Sequence, residues 1–219
     1  MSLFFRPWYK EHLYKIGIKG KRILVVGASH YCKQTVQCPY FEKCTNRELK
    51  DSSEYNKLCP FCDIDLSHST IETIEYFIGG EENRSYRNFS DFMISIMKLA
   101  ENDTDLWGHI AFMNYVQFIL GGDGDIDTNP SDISARDYSA FEEVVNKLHP
   151  DLIIVWGTPV GNELKKYRVN RIEVPGANRD YIFDLDIGGK TYLVINSYHP
   201  SYGNYLDGGK LENQLKLLL

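Results

Sequence analysis

The sequence lacks long apolar runs, a net positive charge, and any cysteine outside one short segment. Its longest apolar stretches, such as residues 110–113 and 152–156, are far too short to cross a bilayer. The first residues show no charged leader followed by an apolar block and a small-residue cleavage site. We therefore expect a cytoplasmic protein with no membrane partner.

The charge balance argues against one class of nucleic-acid-binding protein. The 219 residues carry 24 Lys and Arg against 30 Asp and Glu, a formal net charge of −6. Proteins that coat nucleic acid use a broad basic face, because their binding is driven by phosphate neutralisation and counterion release. A small local contact with phosphate stays open. The length and composition are those of a globular protein, so we expect one domain over residues 1–219, acting as a monomer.

Four short apolar segments, each followed by Gly, Asn or His, are typical of buried parallel strands. They are residues 22–27, 109–114, 151–157 and 191–196. Glycines 188 and 189 predict a hairpin turn before the last of them. Helical patterns alternate with the strands, at residues 90–100, 134–148, 159–166 and from about 207 onwards. The alternation predicts a three-layer α/β/α fold with a central four-stranded, mainly parallel sheet.

Unusual polar residues follow all four predicted strands. The stretches are GASHYC, FMNYVQF, WGTPVGN and NSYHPSYGN. Open parallel sheets bind ligands outside the carboxyl ends of their strands. The sequence therefore predicts a pocket at that edge, lined by Ser29, His30, Tyr31, Asn114, Thr158 and His199.

In chain order, the segments ILVVGASHY, IAFMNYVQF, DLIIVWGTPVGNEL and LVINSYHPSYG resemble the uracil-DNA glycosylase superfamily. That family ends its four strands in a Gly-rich water-activating motif, a base-reading Asn, an apolar-Gly turn and His-Pro-Ser. The resemblance spans about residues 20–205. It implies a uracil-DNA glycosylase-like fold that takes DNA containing uracil or another deaminated base. The base would be flipped or single-stranded, and its N-glycosidic bond hydrolysed.

The resemblance also implies roles for individual residues. His199 would donate a hydrogen bond to the base carbonyl as negative charge builds on the leaving base. Asn114 would read the base edge, because a carboxamide offers a donor beside an acceptor. Tyr31 would exclude a thymine methyl, and Gly27 would belong to the base-binding wall.

Two further residues, Ser201 and Thr158, would contact backbone phosphate according to the same resemblance. The family's water-activating acid or amide is missing, because Ala28 and Ser29 occupy its two positions. His30 stands where the family usually has proline, and it is the nearest candidate to orient water because its ordinary pKa is near neutral. The alternative is a weakly active or inactive module that binds nucleic acid or nucleotide through the same fold.

Other interpretations of these residues stay open. His199 can be a packed turn residue beside proline, and Asn114 can simply end a strand. Ser29 with His199 also suggests a serine hydrolase in which Asp184 or Asp186 orients the base, although the sequence lacks a G-x-S-x-G elbow.

All five cysteines fall in a Cys-rich insertion at about residues 32–62. In a cytoplasmic chain such clustering indicates metal more than disulfides. Cys59 and Cys62 form a compact C-x-x-C pair, and Cys38 and Cys44 can complete a structural zinc site. An iron-sulfur cluster and buried free thiols are the alternatives.

The segment GGDGDIDTNPSD spaces Asp123, Asp125 and Asp127 like the ligands of a calcium loop. Thr128 stands at the glycine position and Ser134 at the position of the bidentate Glu. We interpret the segment as a solvated surface loop.

Overall fold

The computed structural model of the chain describes residues 3–32, 37–49, 58–122, 128–176, 178–202 and 210–219. The acidic residues 123–127 and the predicted start of the last helix at residue 207 lie outside these ranges. Within them the strands are β1 (Ile23–Gly27), β2 (His30–Cys32), β3 (Leu58–Cys59), β4 (Ile64–Asp65), β5 (Ile110–Asn114), β6 (Ile119–Gly121), β7 (Leu152–Trp156), β8 (Ile182–Ile187) and β9 (Lys190–Ser197). The α-helices are α1 (Glu11–Ile16), α2 (Phe41–Cys44), α3 (Ser69–Ile78), α4 (Arg84–Asp91), α5 (Asp103–His109), α6 (Ala135–Leu148), α7 (Thr158–Lys165) and α8 (Lys210–Leu218).

The central sheet has five strands in the order β5-β1-β7-β9-β8. The first four are parallel, and β8 pairs antiparallel with β9. The four predicted strands are confirmed, but the predicted strand count was wrong by one. The first strand of the hairpin joins the sheet edge, and Gly188 and Gly189 make its turn with φ of 58° and 78°.

Helices cover both faces of this sheet. Ile23 and Val25 on β1 contact one buried cluster, whereas Leu24 and Val26 contact the other. Side chains of α3, α4, α5 and α8 fill the first cluster, and those of α1, α6 and α7 fill the second. The alternation follows from the two-residue period of a strand that is buried on both faces. In the described part of the chain, no helix combines the length and apolar character that a membrane span requires.

The helix predicted over residues 90–100 begins and ends earlier than its apolar pattern indicated. It comprises Arg84–Asp91, followed by a π-helical turn over Phe92–Ile96. The side-chain oxygen of Asn83 accepts two backbone N–H groups and starts the helix. Lys98, with φ of 55°, lies beyond its end.

The helices predicted over residues 134–148 and 159–166 agree closely with the structure. α6 begins after Ser134, whose N–H donates to the Asp137 carboxylate at 2.7 Å. It ends at His149, which adopts a left-handed conformation with φ of 47° before proline. α7 begins at Thr158, one residue before Pro159, where a fixed φ favours a helix start.

The segment before α1 was not predicted to be structured, and it covers the outer edge of the sheet. Trp8 forms an antiparallel bridge with Phe112 of β5, with N–O distances of 2.8 and 2.9 Å. The backbone N–H groups of Phe4 and Phe5 both donate to the Gln117 side-chain oxygen at 2.8 Å. The row of hydrogen-bonding groups on β5 is thus partly paired.

Two small sheets lie beyond the carboxyl edge of the central one, and the sequence did not predict them. β2 pairs in parallel with β6, so that His30 faces Ile119 and Cys32 faces Gly121. β3 and β4 form a short antiparallel pair. The first small sheet follows closely after β1 and carries two of the predicted site residues, His30 and Tyr31.

Candidate functional site

The four strands that carry the predicted site lie side by side and end at the same edge. Gly27 of β1 is in register with Asn114 of β5, and Trp156 of β7 is in register with Ser197 of β9. With about 4.8 Å between neighbouring strands, the ends of β5 and β9 are about 14 Å apart. The residues at the two ends of this edge are therefore separated by the width of the two intervening strands, β1 and β7.

Gly27 lets the Asn114 side chain lie across the end of β1. A Cβ at Gly27 would be 2.5 Å from Asn114 Oδ1 and 2.6 Å from the Phe112 ring. Neither distance is tolerable for carbon, so any larger residue would displace the Asn114 amide. This close approach explains glycine at the strand end without any requirement for positive φ.

Asn114 is only 4% exposed, and both its side-chain amide and its backbone carbonyl group form hydrogen bonds. Its side-chain Nδ2 lies 2.9 Å from His30 Nε2, and its backbone carbonyl oxygen accepts a hydrogen bond from Gln117 Nε2 at 2.7 Å. Gln117 is fully buried and also receives the two N-terminal N–H groups described above. Asn114 is thus held by residues that are distant in sequence.

The same contacts fix the tautomer of His30. Because an amide nitrogen only donates, His30 Nε2 accepts from Asn114, and the ring proton lies on Nδ1. The Thr70 hydroxyl lies 2.8 Å from the same nitrogen, and the Phe5 ring packs against the imidazole at 4.6 Å. Burial lowers the pKa of His30 from 6.5 to about 4. His30 is therefore a neutral acceptor at pH 7 and only a weak base.

Ser29 and Tyr31 flank His30 but contact a different residue. Ser29 Oγ lies 2.8 Å from Thr128 Oγ1, and the Tyr31 hydroxyl lies 3.0 Å from the same atom. Thr128 is 4% exposed. The structure thus separates the predicted cluster: His30 is joined to Asn114, whereas Ser29 and Tyr31 are joined through Thr128.

His199 follows β9 and is oriented by the turn it belongs to. The Ser201 N–H donates to His199 Nδ1 at 3.3 Å, and Ser201 Oγ lies 2.8 Å from the same nitrogen. Since Nδ1 accepts, the proton of the neutral ring lies on Nε2. The Asn88 side chain of α4 donates to the Pro200 carbonyl oxygen at 2.6 Å and ties the turn to the helical layer.

The end of β7 forms the wall beneath His199. Gly157 has φ of 94°, and a Cβ there would contact His199 Cβ at 3.7 Å. The Trp156 ring meets the imidazole edge-on at 6.1 Å. Thr158 is exposed at the first residue of α7, whereas Ser201 is half-buried and engaged with His199. The predicted phosphate contacts of both residues stay predictions.

Asp184 and Asp186 have structural partners. Asp184 is 2% exposed and accepts the backbone N–H groups of Arg171 and Ile172 at 2.6 and 2.8 Å. Asp186 contacts the Arg171 guanidinium at 2.6 Å and the Thr191 hydroxyl at 2.7 Å. The two carboxylates therefore hold the segment around residues 171–172 against β8. These contacts do not favour a role for either carboxylate in orienting a catalytic histidine.

A cavity of about 330 Å³ lies at the outer strand β8, away from the four strand ends. Its lining includes Asn170, Glu173, Pro175, Arg179, Phe183 and Asp184. Of the residues considered for a site, only Asp184, the possible orienter of a serine-hydrolase histidine, lines it. The strand ends are the candidate functional site, because polar side chains from several elements meet there.

The five cysteines form no disulfide. Among the residues that the structure describes, no three Cys, His, Asp or Glu side chains already stand as a metal-binding group. Cys59 and Cys62 are in contact, since the Cys62 N–H lies 3.4 Å from Cys59 Sγ. Zinc at Cys38, Cys44, Cys59 and Cys62 therefore stays a prediction.

Four residues of the site were missed by sequence reasoning. Gln117 lies inside a quoted motif, but its burial depends on the N-terminal segment. The burial of Thr70 could have been predicted from the sequence, because it lies at helical spacing from Ile74 and Phe77 on the buried face of α3. Asn88 and Thr128 have no such signal, since their contacts are made only in the folded chain. Comparison of the chain with protein-family models and with curated proteins finds no match.

Proposed function

We propose that the chain recognises a flipped or single-stranded nucleobase in DNA and hydrolyses its N-glycosidic bond. One observation carries the proposal: the four motifs end on neighbouring strands, with Asn114 at one side of the edge and His199 at the other. This arrangement supports the resemblance, because it brings the Asn motif and the His-Pro-Ser turn to the same edge of one sheet. Placing a base between the two residues gives each of them a distinct task.

His199 supplies the donor for the leaving base. Its Nδ1 accepts the Ser201 N–H, so the neutral ring carries a proton on Nε2 that can be donated to a base carbonyl oxygen. As the C1′–N bond breaks, its electron pair passes to the base. The hydrogen bond from His199 Nε2–H to the base carbonyl oxygen strengthens as this negative charge develops. Water oxygen bonds to C1′, and the water proton finally resides on the released base.

Asn114 determines which bases fit. One of its two Nδ2 hydrogens is donated to His30 Nε2, which leaves Oδ1 as an acceptor and the second hydrogen as a donor for the base edge. Uracil, hypoxanthine and xanthine all present a ring N–H, whereas cytosine and adenine present an unprotonated ring nitrogen there. The His30–Asn114 bond thus favours deaminated bases over the bases from which they form.

A second candidate function is base recognition without efficient hydrolysis. Ser29 Oγ is paired with Thr128, and His30 Nε2 is occupied by Asn114 and Thr70. The low pKa of His30, about 4, makes it a weak general base for water. These contacts favour slow turnover, or a module that binds the base and leaves it attached.

Incubation with single- and double-stranded oligonucleotides bearing uracil, hypoxanthine or xanthine separates the two functions. Abasic product from at least one lesion, with weaker selection among lesions in Asn114→Ala, is the expected result. Lesion-dependent binding in fluorescence anisotropy without abasic product would establish the second function. Neither product nor lesion-dependent binding would overturn both.

A further inference from the structure

The outer edge of β8 is covered only in part by the segment that precedes it. Arg168 bridges to Leu185, and the Val169 N–H donates to the Asp184 carbonyl oxygen at 3.0 Å. Asn170 then adopts a left-handed conformation with φ of 56°, and the next two N–H groups bond to a side chain of β8 instead of its backbone. The cavity of about 330 Å³ lies where the segment leaves the strand edge in this way.

Asp184 is the buried charged group of this cavity. It is 2% exposed, and the N–H groups of Arg171 and Ile172 both donate to the same oxygen, Oδ2. Within the ranges that the structure describes, Oδ1 accepts no hydrogen bond and no Lys or Arg forms an ion pair with this carboxylate. The Arg171 guanidinium contacts Asp186 instead, at 2.6 Å. Because an unpaired buried charge is costly, Oδ1 is an acceptor that a cationic ligand would complete.

The walls around this carboxylate are mainly apolar. Five apolar side chains line the cavity: Ile172, Val174, Pro175, Ile182 and Phe183. Ile182 and Phe183 belong to the buried clusters on opposite faces of the sheet, so the cavity includes the strand edge between them. Its volume is at the lower end of the range for ligand pockets. The shape therefore suits a small ligand with an apolar body.

An ion pair at the cavity does not supply the missing cation. The Arg179 guanidinium lies 3.6 Å from the Glu173 carboxylate, and the two side chains are 72% and 86% exposed. Arg179 is thus engaged by Glu173 and not by Asp184. An exposed pair of this kind contributes little to stability, so it can open at low cost when a ligand enters.

We propose that the cavity binds a small primary amine with an apolar body, whose ammonium group donates to Asp184 Oδ1. One free oxygen favours a compact ammonium over a guanidinium, because the planar fork of a guanidinium is matched by two oxygens side by side. Asn170 and Glu173 also line the cavity and offer oxygen atoms to the remaining ammonium hydrogens. The site uses neither Asn114 nor His199 and does not depend on the proposed glycosylase function.

Calorimetric titration of the full chain with phenethylamine, phenethyl alcohol and benzamidine tests the proposal. Phenethylamine should bind about tenfold or more tightly than the alcohol, which has the same shape without the charge, as expected for a hydrogen bond to a buried charged acceptor. Benzamidine, a planar cation, should bind more weakly than phenethylamine.

Asp184→Asn should abolish the preference for the amine over the alcohol. The amide keeps an oxygen for the Arg171 and Ile172 N–H groups and presents its NH₂ group to the cavity. The matched control is Asp186→Asn, which removes a carboxylate on the same face of β8 that is held by Arg171 and Thr191 and does not line the cavity. This control should keep the preference.

Two measurements cover the case in which Asp184→Asn fails to fold. On the unmutated chain, phenethylamine should protect residues 170–175 from hydrogen exchange, whereas the alcohol at the same concentration should not. Glu173→Gln, at an exposed position, should weaken amine binding by less than about fivefold.

Three results would overturn the proposal: no binding of the amine, equal affinities for amine and alcohol, or an equal loss of preference in Asp184→Asn and Asp186→Asn. Tighter binding of benzamidine than of phenethylamine would overturn the choice of an ammonium ligand.

Discussion

The two sides of the strand-end site are held in different ways. Asn114 is fixed by His30 and Gln117, and Gln117 in turn anchors the N-terminal segment more than 110 residues away in sequence. His199 is oriented by Ser201, only two residues further along the chain, and the turn is tied to α4 by Asn88. The Asn114 side is thus part of the buried structure, whereas the His199 side depends on a local turn. Substitutions on the first side should cost stability, and those on the second should cost turnover.

The largest effect is expected for His199→Ala. Removal of one preorganised donor typically lowers turnover by about a hundredfold or more. Because a local turn holds this residue, the melting temperature should change little. Single-turnover rates and melting curves on the same preparation check both statements. A destabilised variant with unchanged activity per folded molecule would remove His199 from the site.

Gln117→Ala should mainly reduce stability. It leaves two buried N–H groups and one carbonyl oxygen without their partner, at a cost of about 2–4 kcal/mol in the free energy of unfolding. Denaturant unfolding measures this loss, and Gln37→Ala, at an exposed position, is the matched control. Equal stability of the two variants would contradict the anchoring role of Gln117.

The buried His30 should make stability depend on pH. Its pKa is about 4 in the folded chain against 6.5 ordinarily, so the unfolded chain takes up the proton first as pH falls. The stabilisation is complete above pH 6.5 and is lost as pH falls towards 4. The melting temperature should be about 5 °C lower at pH 5 than at pH 7.

His30→Gln tests the source of that pH dependence. The Gln side chain keeps an acceptor for Asn114 and Thr70 but cannot be protonated in this range. The difference in melting temperature between pH 5 and pH 7 should therefore shrink in the variant. An unchanged difference in melting temperature would mean that other titratable groups cause the pH dependence.

The smallest effect is expected for Ser201→Ala. The backbone N–H that donates to His199 Nδ1 remains, and only the hydroxyl contact is removed. Turnover should fall by less than about tenfold, as expected for one neutral hydrogen bond. Single-turnover rates at several salt concentrations also test phosphate contact, since loss of such a contact would weaken DNA binding and its salt dependence. A loss as large as that of His199→Ala would mean that the hydroxyl is essential to the orientation of His199.

The central strands could be predicted because each is a short apolar run that is buried on both faces. The hairpin could be predicted from Gly188 and Gly189. The pairing of β2 with β6 could not, since each strand has three residues and too short a pattern. The helix predicted over residues 90–100 actually begins at Arg84. The prediction used only the spacing of apolar residues and missed the N-cap at Asn83, which sets the start of the helix.

The candidate residues of the site could be located more easily than their partners. Asn114 ends β5 and His199 lies just after β9, and a strand end is visible in the sequence. That Asn114 donates to His30, or that Ser29 and Tyr31 meet at Thr128, depends on the path of the chain through polar segments. Such contacts are determined by tertiary structure and carry no local periodicity.

The bridge between Trp8 and Phe112 has a consequence for the order of folding. The residues it joins are 104 positions apart, and closing so long a loop costs entropy before any contact compensates for it. Contacts of high sequence separation form slowly. Because Trp8 bonds to the outer edge of β5, the N-terminal segment should dock once β5 lies in the sheet, and the surroundings of Asn114 are complete only when this segment is in place.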